Sequence, residues 1–182
     1  MNHHRYVRAA VILAAALALA AGCGDKKHTV VGPGTPTPYP KLSSPENVMA
    51  ALALSYQRRD SVETKLIYDE NYQGTSIDPY GPPMSFYKWD EIRHVVALAR
   101  TPTITSVTLL FPYALTRFTD LGDPPGWASI EVTDARIEIN DITSYAVSSG
   151  ETMQFKFVPT TPDSTSPTDT TWKLVRWFET KY

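Results

Sequence analysis

The stretch that decides the fold is SPENVMAALALSYQRRDSVETKLIYDENY, residues 44–72. Ser44 has the chemistry of an N-cap, and Pro45 suits the first helical position, where a backbone N–H goes unpaired anyway. Glu46 adds negative charge to the first turn. Val48, Leu52 and Tyr56, with Met49 and Ala53 beside them, recur at the i, i+4 spacing of one apolar helical stripe. Gln57, Arg58 and Arg59 end that helix. Asp60 then caps a second helix, with Glu63 three residues on completing a capping box. This short helix is expected to carry Val62, Leu66 and Ile67 inward. The acidic pair Asp69 and Glu70 follows, and adjacent residues of an extended strand point to opposite sides. The pair therefore reads as structural, closing the second helix and binding nearby backbone, with Asp69 kept as a candidate base.

Downstream, residues 71–77 read as a strand, and Asp78-Pro79-Tyr80-Gly81-Pro82-Pro83 as a rigid turn. A third helix is predicted over 85–100. Phe86, Trp89, Ile92, Val96 and Ala99 form its apolar face, and Lys88, Glu91, Arg93 and His94 lie largely on the other. Thr101-Pro102 stops it, because the residue before a proline is driven out of helical geometry. Residues 104–116 alternate as a strand through Val107, Leu109, Phe111 and Tyr113. After a breaker cluster at 120–126, residues 128–140 alternate again, with a phase shift at Asp134-Ala135 that signals a bulge. A turn at 148–151 leads into Met153, Phe155 and Phe157, alternating with Gln154 and Lys156. A loop rich in Ser, Thr, Asp and Pro spans 160–171. The last strand, 172–179, is apolar on both faces, with Trp172, Leu174 and Phe178 on one and Val175 and Trp177 on the other. Such a strand needs cover on both sides.

The opening stretch, then a third helix containing Trp89, then antiparallel strands closing with TWKLVRWFE, resembles the NTF2-like (SnoaL-like) superfamily over residues 43–182. The resemblance implies an α+β cone: a strongly curved antiparallel sheet wrapped around three N-terminal helices, with an internal pocket. It also implies a homodimer through the outer sheet face. The superfamily hosts isomerases, dehydratases, hydrolases, cyclases and non-enzymes, so function has to be argued from the site. In its steroid-isomerase branch a carboxylate beside a proline, just after the first strand, removes a proton from carbon. Asp78-Pro79 lies in a similar place, about two residues further along. Where that branch carries an oxyanion-stabilising tyrosine, this chain has Leu52, with Tyr56 one turn later.

Other chemistry lacks its parts. There is no G-x-S-x-G elbow, and His94 is the only histidine within the folded region that could serve a serine. His94 follows Asp90 by four and Glu91 by three, which reads as a surface imidazole beside a helical carboxylate. No group of His, Cys, Asp and Glu has metal-ligand spacing, and no cofactor motif is present. The candidate acid/base residues are thus Asp78, Asp69 and Tyr56. Tyr56, Tyr72, Trp89, Phe111, Tyr113, Phe155, Phe157 and Trp177 are the candidates to line a pocket for a flat or apolar ligand. The same rings could equally fill the cone as core.

Upstream of the domain lies LALAAGCGD, residues 17–25, an apolar run ending in small residues and the sole cysteine. It resembles the lipobox of a bacterial lipoprotein, with Ala20 where leucine is commonest. Arg5 and Arg8 precede an apolar core at 9–21, which is too short to span a bilayer, since that takes roughly 20 apolar residues. Residues 1–22 are therefore expected to be a signal peptide, and Cys23 the lipidated residue. Residues 23–42, rich in Pro and Thr, cannot offset their ordering entropy and read as a tether. Gly24 after the cysteine points to the outer membrane if the envelope is Gram-negative.

Of 17 basic and 19 acidic residues, the signal would remove Arg5 and Arg8, moving the net charge from −2 to −4. A mildly acidic domain without a basic cluster gives nucleic acid no electrostatic footprint. The reading is an envelope-anchored lipoprotein whose domain is a non-catalytic small-ligand-binding or accessory module. Its alternatives are a small lyase or isomerase with an Asp base inside the cone, and a structural module docking another envelope protein through the outer sheet face. A buried carboxylate facing an open cavity beside a tyrosine favours the enzyme. An open cavity without a carboxylate favours binding, and a filled cone with an apolar outer face favours docking.

Overall fold

The computed structural model describes residues 37–77, 80–111, 114–142, 144–148, 152–160 and 170–180, the side chains of 144–148 and 180 excepted. The chain divides into units Met1–Thr37 and Pro38–Tyr182, and every described helix and strand belongs to the second. Cys23, the expected signal peptide and the expected tether up to residue 36 lie outside the described residues.

Helix α1 spans Pro45–Arg58 and starts where its cap chemistry puts it, with Ser44 Oγ accepting the Asn47 N–H at 3.2 Å. It stops at Arg59, whose left-handed backbone (φ 54°) turns its N–H back onto the carbonyls of Ser55 and Tyr56. The Arg59 guanidinium then donates to the Ile104 carbonyl at 2.8 Å, fastening this turn to a distant segment. Helix α2, Ser61–Ile67, is capped by Asp60 Oδ1, which accepts the Val62 and Glu63 N–H groups. Its buried side chains are Thr64 and Ile67, while Val62 and Leu66 are exposed, contrary to the expected inward face. Two local constraints explain the rotation. Thr64 satisfies its hydroxyl on the Asp60 carbonyl at 2.7 Å and so can be buried, and Ile67 runs directly into the buried start of the next strand.

Strand β1, Tyr68–Ile77, begins three residues before the expected position. Strand β2, Met84–Tyr87, takes residues expected to open the third helix and pairs antiparallel with β1, Gly74 opposite Phe86. Helix α3, Lys88–Arg100, starts only after Asp90 Oδ2 accepts the Tyr87 N–H at 2.8 Å. Of the strand expected over 104–116 the described residues hold β3, Ser106–Leu110; β4, Arg117–Phe118, lies beyond that span. The remaining strands are β5 Ala128–Thr133, β6 Arg136–Asn140, β7 Ser144–Ser148, β8 Thr152–Thr160 and β9 Thr171–Thr180.

A six-stranded sheet has the order β2-β1-β9-β8-β5-β4, antiparallel except for the parallel pair β1 and β9, and a second sheet has the order β3-β6-β7. The phase shift read at Asp134-Ala135 is where the chain passes between the sheets: Asp134 has φ 58° and separates β5 from β6. A second irregularity reassigns the faces of the last strand. Phe157 pairs with Leu174 but Lys156 pairs with Arg176, so Val175 is an extra residue. Leu174 and Trp177 consequently share the inner face, opposite Phe157 and Phe155, while Arg176 and Phe178 turn outward. The expected grouping of Trp172, Leu174 and Phe178 is thereby split.

The α+β architecture is the one expected: helices packed on a curved, mainly antiparallel sheet. Val48, Met49 and Leu52 of α1, Ile67, Val95 and Val107 meet Ile130, Phe155, Phe157 and Leu174 of the sheet, all fully buried. Each such large side chain contributes about 1.5–3 kcal/mol by leaving water. On the outer face Lys156 pairs with Asp120 (3.0 Å) and Asp123 and lies over the Phe178 ring, so charge covers this part of the sheet.

Candidate functional site

Three elements converge on one carboxylate. The inward stripe of α1 ends at Tyr56, and the alternation of β1 turns Tyr72 and Gly74 toward the same interior. Helix α3 supplies Glu91, because the face it buries is Lys88, Glu91, Ile92 and Val95. This corrects the expected face, on which Trp89 pointed in and Lys88 and Glu91 pointed out. The helix is turned by one residue because both charged groups have interior partners. Lys88 Nζ donates to the Tyr68 carbonyl and to Glu70 Oε1, each at 2.8 Å. Glu91, only 6% exposed, receives hydrogen bonds on both oxygens: Tyr56 Oη donates to Oε2 at 3.3 Å and Tyr72 Oη to Oε1 at 3.1 Å. Trp89 instead lies outside, half exposed, beneath the Lys65 ammonium.

The electrostatics follow from that geometry. Burial, and after it the charge of Glu91, push the phenols of Tyr56, Tyr68 and Tyr72 well above their usual pKa. All three stay neutral at neutral pH, and Tyr56 and Tyr72 donate to Glu91. The imidazole of His94 stands one turn along α3, with Nδ1 3.9 Å from Glu91 Oε2. The nearby Glu91 carboxylate raises its pKa above 6.5, against the opposing effect of partial burial. The Tyr68 ring meets Tyr72 edge-on at 4.5 Å, and its buried hydroxyl makes no well-formed hydrogen bond.

This cluster borders an open cavity of about 190 Å³, with Tyr56, Tyr72, Phe86, Glu91, His94 and Trp177 in its wall. A second cavity of about 180 Å³ is lined by Leu109, Ala135, Ile137 and Met153, and shares Tyr56, Trp177 and Glu179 with the first. The interior thus offers two neighbouring lobes with a shared wall, one with Glu91 in its lining and one mainly apolar. Trp177, in the wall of both, stacks on Phe155 at 4.9 Å, and its indole N–H is buried without an acceptor.

Of the residues singled out in the sequence, Tyr56, Tyr72 and Trp177 come together here. Phe155 and Phe157 are fully buried core, and Phe111 packs edge-on against Phe155 at 6.0 Å; none of the three lines either cavity. Asp69 lies outside both lobes, where its Oδ1 accepts the Asn71 N–H at 2.9 Å in a local turn. Asp78, Tyr113 and the lipidation candidate Cys23 lie outside the described residues. Glu91 was missed as a site residue. The signal that could have found it is the spacing 88, 91, 92, 95, a second helical stripe that is less apolar than the one preferred. His94 is half exposed beside a helical carboxylate, as read, but also borders the cavity.

Chemically, the arrangement offers a buried carboxylate, two phenols committed to it and one imidazole. It can accept a hydrogen bond or proton from a ligand, or oppose a positive charge. Among the described residues no group of three or more His, Cys, Asp and Glu side chains could hold a metal ion.

No family model matches the sequence, and no curated protein matches it. Solved structures do. A Novosphingobium aromaticivorans protein assigned as an aromatic ring hydroxylase is 14% identical, covering 80% of this chain and 91% of its own, with a TM-score of 0.53. A protein of the same organism assigned as a scytalone dehydratase is 9% identical over 74% of this chain and 78% of its own, with a TM-score of 0.54. An NTF2-like protein with a cystatin-like fold, also from that organism, is 9% identical over 74% of this chain and 77% of its own, with a TM-score of 0.51. The domain has the NTF2-like fold. At these identities the likeness concerns the fold alone.

Proposed function

We propose that the chain is an envelope-anchored module that binds a small ligand inside the NTF2-like cone. The observation that carries the binding reading is Glu91: a buried carboxylate, fixed by Tyr56 and Tyr72, in the wall of an open cleft. Each lobe is smaller than the roughly 300–1,000 Å³ of typical drug-sized sites, so the ligand is small or reaches through both. The anchoring part of the proposal is supported by the lipobox-like residues 17–25 and the tether behind them. A homodimer through the outer sheet belongs to the same proposal, and light scattering of the purified chain tests it.

For ligand binding, a fragment library is screened by ligand-observed NMR against wild type and Glu91→Ala. Fragments that bind wild type and lose binding to a folded Glu91→Ala chain support the reading. A wild type that binds none of the library, or binds the same fragments unchanged after the substitution, refutes it. For the anchor, mass spectrometry of the chain expressed in a bacterial host reports acylation of Cys23, which Cys23→Ser must abolish.

One observation favours a second reading, proton transfer in a lyase or isomerase. Glu91 and His94 are an acid and a base 3.9 Å apart at an open cavity, and one structural neighbour is assigned as a scytalone dehydratase. In that case the base is Glu91, in place of Asp78 or Asp69. Proton abstraction also needs a donor for the developing oxyanion. Tyr56 and Tyr72 already donate to Glu91, which leaves binding as the better-supported function. A turnover lost in both Glu91→Gln and His94→Gln, with a bell-shaped pH profile in wild type, would reverse that order.

A further inference from the structure

We infer that the ligand is a small organic monocation, an ammonium group set against Glu91 among aromatic rings, with an uncharged body reaching toward the neighbouring lobe. The inference rests on the small-ligand reading above and names the chemistry of that ligand.

The polar lobe is walled by Tyr56, Tyr72, Phe86 and Trp177 around Glu91, with Glu179 as a second carboxylate in the wall. Aromatic faces carry negative potential, and a cation near several of them is attracted most strongly when water is excluded. Glu91 itself is stabilised by two neutral phenols and not by a buried cation. A carboxylate taken out of water gains most from a full countercharge. Within this lobe the side chain nearest to supplying one is His94, which is half exposed and 3.9 Å away. The raised tyrosine pKa values, due first to burial and then to Glu91, report the same negative field.

The lobe is correspondingly poor ground for an anion. Its phenolic donors are spent on Glu91, and an incoming carboxylate or phosphate would face Glu91 in a low-dielectric wall. Arg136, in the second lobe, is paired with Glu138 at 2.7 Å. The second lobe instead presents Leu109, Ala135, Ile137 and Met153, a surface for an aryl or short alkyl body. The Trp177 indole N–H, buried without an acceptor between the two, adds one preference, a single hydroxyl, ether or carbonyl oxygen on that body. Leaving such a donor unpaired is costly, which favours a ligand that pairs it.

The test compares three probes of one shape, phenethylamine, 2-phenylethanol and 3-phenylpropionate, titrated calorimetrically into the full chain in one buffer at one pH. The expected result is an amine bound about tenfold or more tighter than the alcohol, with the carboxylate weakest. In Glu91→Gln, with folding checked by circular dichroism, the amine and the alcohol should bind alike. Equal binding of amine and alcohol to wild type, or tightest binding of the carboxylate, overturns the cation assignment and leaves the small-ligand reading standing. Absence of binding by all three, in a chain that does bind uncharged fragments, likewise overturns only the cation. Absence of binding by every fragment overturns both. The wild-type ranking is decisive by itself should Glu91→Gln not fold.

Discussion

The hydroxyl of Tyr72 lies in the space that a Cβ on Gly74 would need, 2.6 Å from where that atom would be. Two residues apart on one strand, they share the inner face of β1, and the bare backbone at Gly74 lets the phenol reach Glu91 Oε1 at 3.1 Å.

Gly74→Ala therefore pushes the Tyr72 ring away from Glu91. Overpacking costs about 1–3 kcal/mol, and removing glycine from a strand interior returns roughly 0.5–1 kcal/mol. The expected outcome is a net loss of about 1 kcal/mol in a urea titration, together with weaker binding of fragments that depend on Glu91. A variant as stable as wild type, with unchanged fragment binding, would show that Tyr72 does not position Glu91.

Removing the carboxylate should cost more than neutralising it. Glu91→Ala leaves the Tyr56 and Tyr72 hydroxyls buried without their acceptor, a penalty of about 1–3 kcal/mol for an unsatisfied group. Glu91→Gln keeps one acceptor oxygen and should fall between wild type and alanine. Chemical denaturation of the three proteins at neutral pH gives the ranking, and an alanine variant at least as stable as glutamine contradicts it.

His94 should titrate above its ordinary value of 6.5 because the Glu91 carboxylate stands 3.9 Å from its ring, and the charge of Asp90 adds to the effect while Arg93 opposes it. In NMR titrations Glu91→Gln is expected to lower the His94 midpoint; an unchanged midpoint removes Glu91 as the cause. The folded state holds this proton more tightly than the unfolded chain. The associated stability is thus fully present below the unfolded pKa near 6.5 and fades as pH rises through the higher folded value. With the imidazole half exposed the contribution is small, and it should be absent from His94→Gln.

Lys88 is buried because its ammonium reaches the Tyr68 carbonyl and Glu70. Lys88→Met keeps the stem but strips the Tyr68 carbonyl of that donor, and should destabilise the fold by about 1–3 kcal/mol. Glu70→Gln should change little by comparison, since that carboxylate is exposed. If denaturation midpoints showed the reverse order, the carbonyl contact would not be the reason this lysine is inside.

Much of the fold was legible because it is written in short-range chemistry. Ser44 and Asp60 start their helices through hydrogen bonds two or three residues long, and the apolar stripe of α1 needs no distant partner to be recognised. The alternation of residues 128–140 was legible too, but its shift at Asp134 read as a bulge in one strand, where the chain in fact passes between two sheets. The resemblance carried by residues 44–72 and the closing tryptophan strand led to the NTF2-like fold that the solved structures share. Of the site, Tyr56, Tyr72 and Trp177 were legible as inward-facing aromatics.

The rest depended on contacts that periodicity does not encode. Ranking stripes by apolar content sends Trp89 inward and Glu91 outward. Whether a carboxylate can be buried depends on the donors that meet it, and these stand 35 and 19 residues earlier in the chain, at Tyr56 and Tyr72. The same holds for Lys88, whose partners are on β1, and for Val175, whose bulge exists only relative to β8. Local propensity and capping thus specified where α1 and α2 begin. Only packing in three dimensions could set the rotation of α3, because the energy of burying a charge lies in its partners and not in the residue itself.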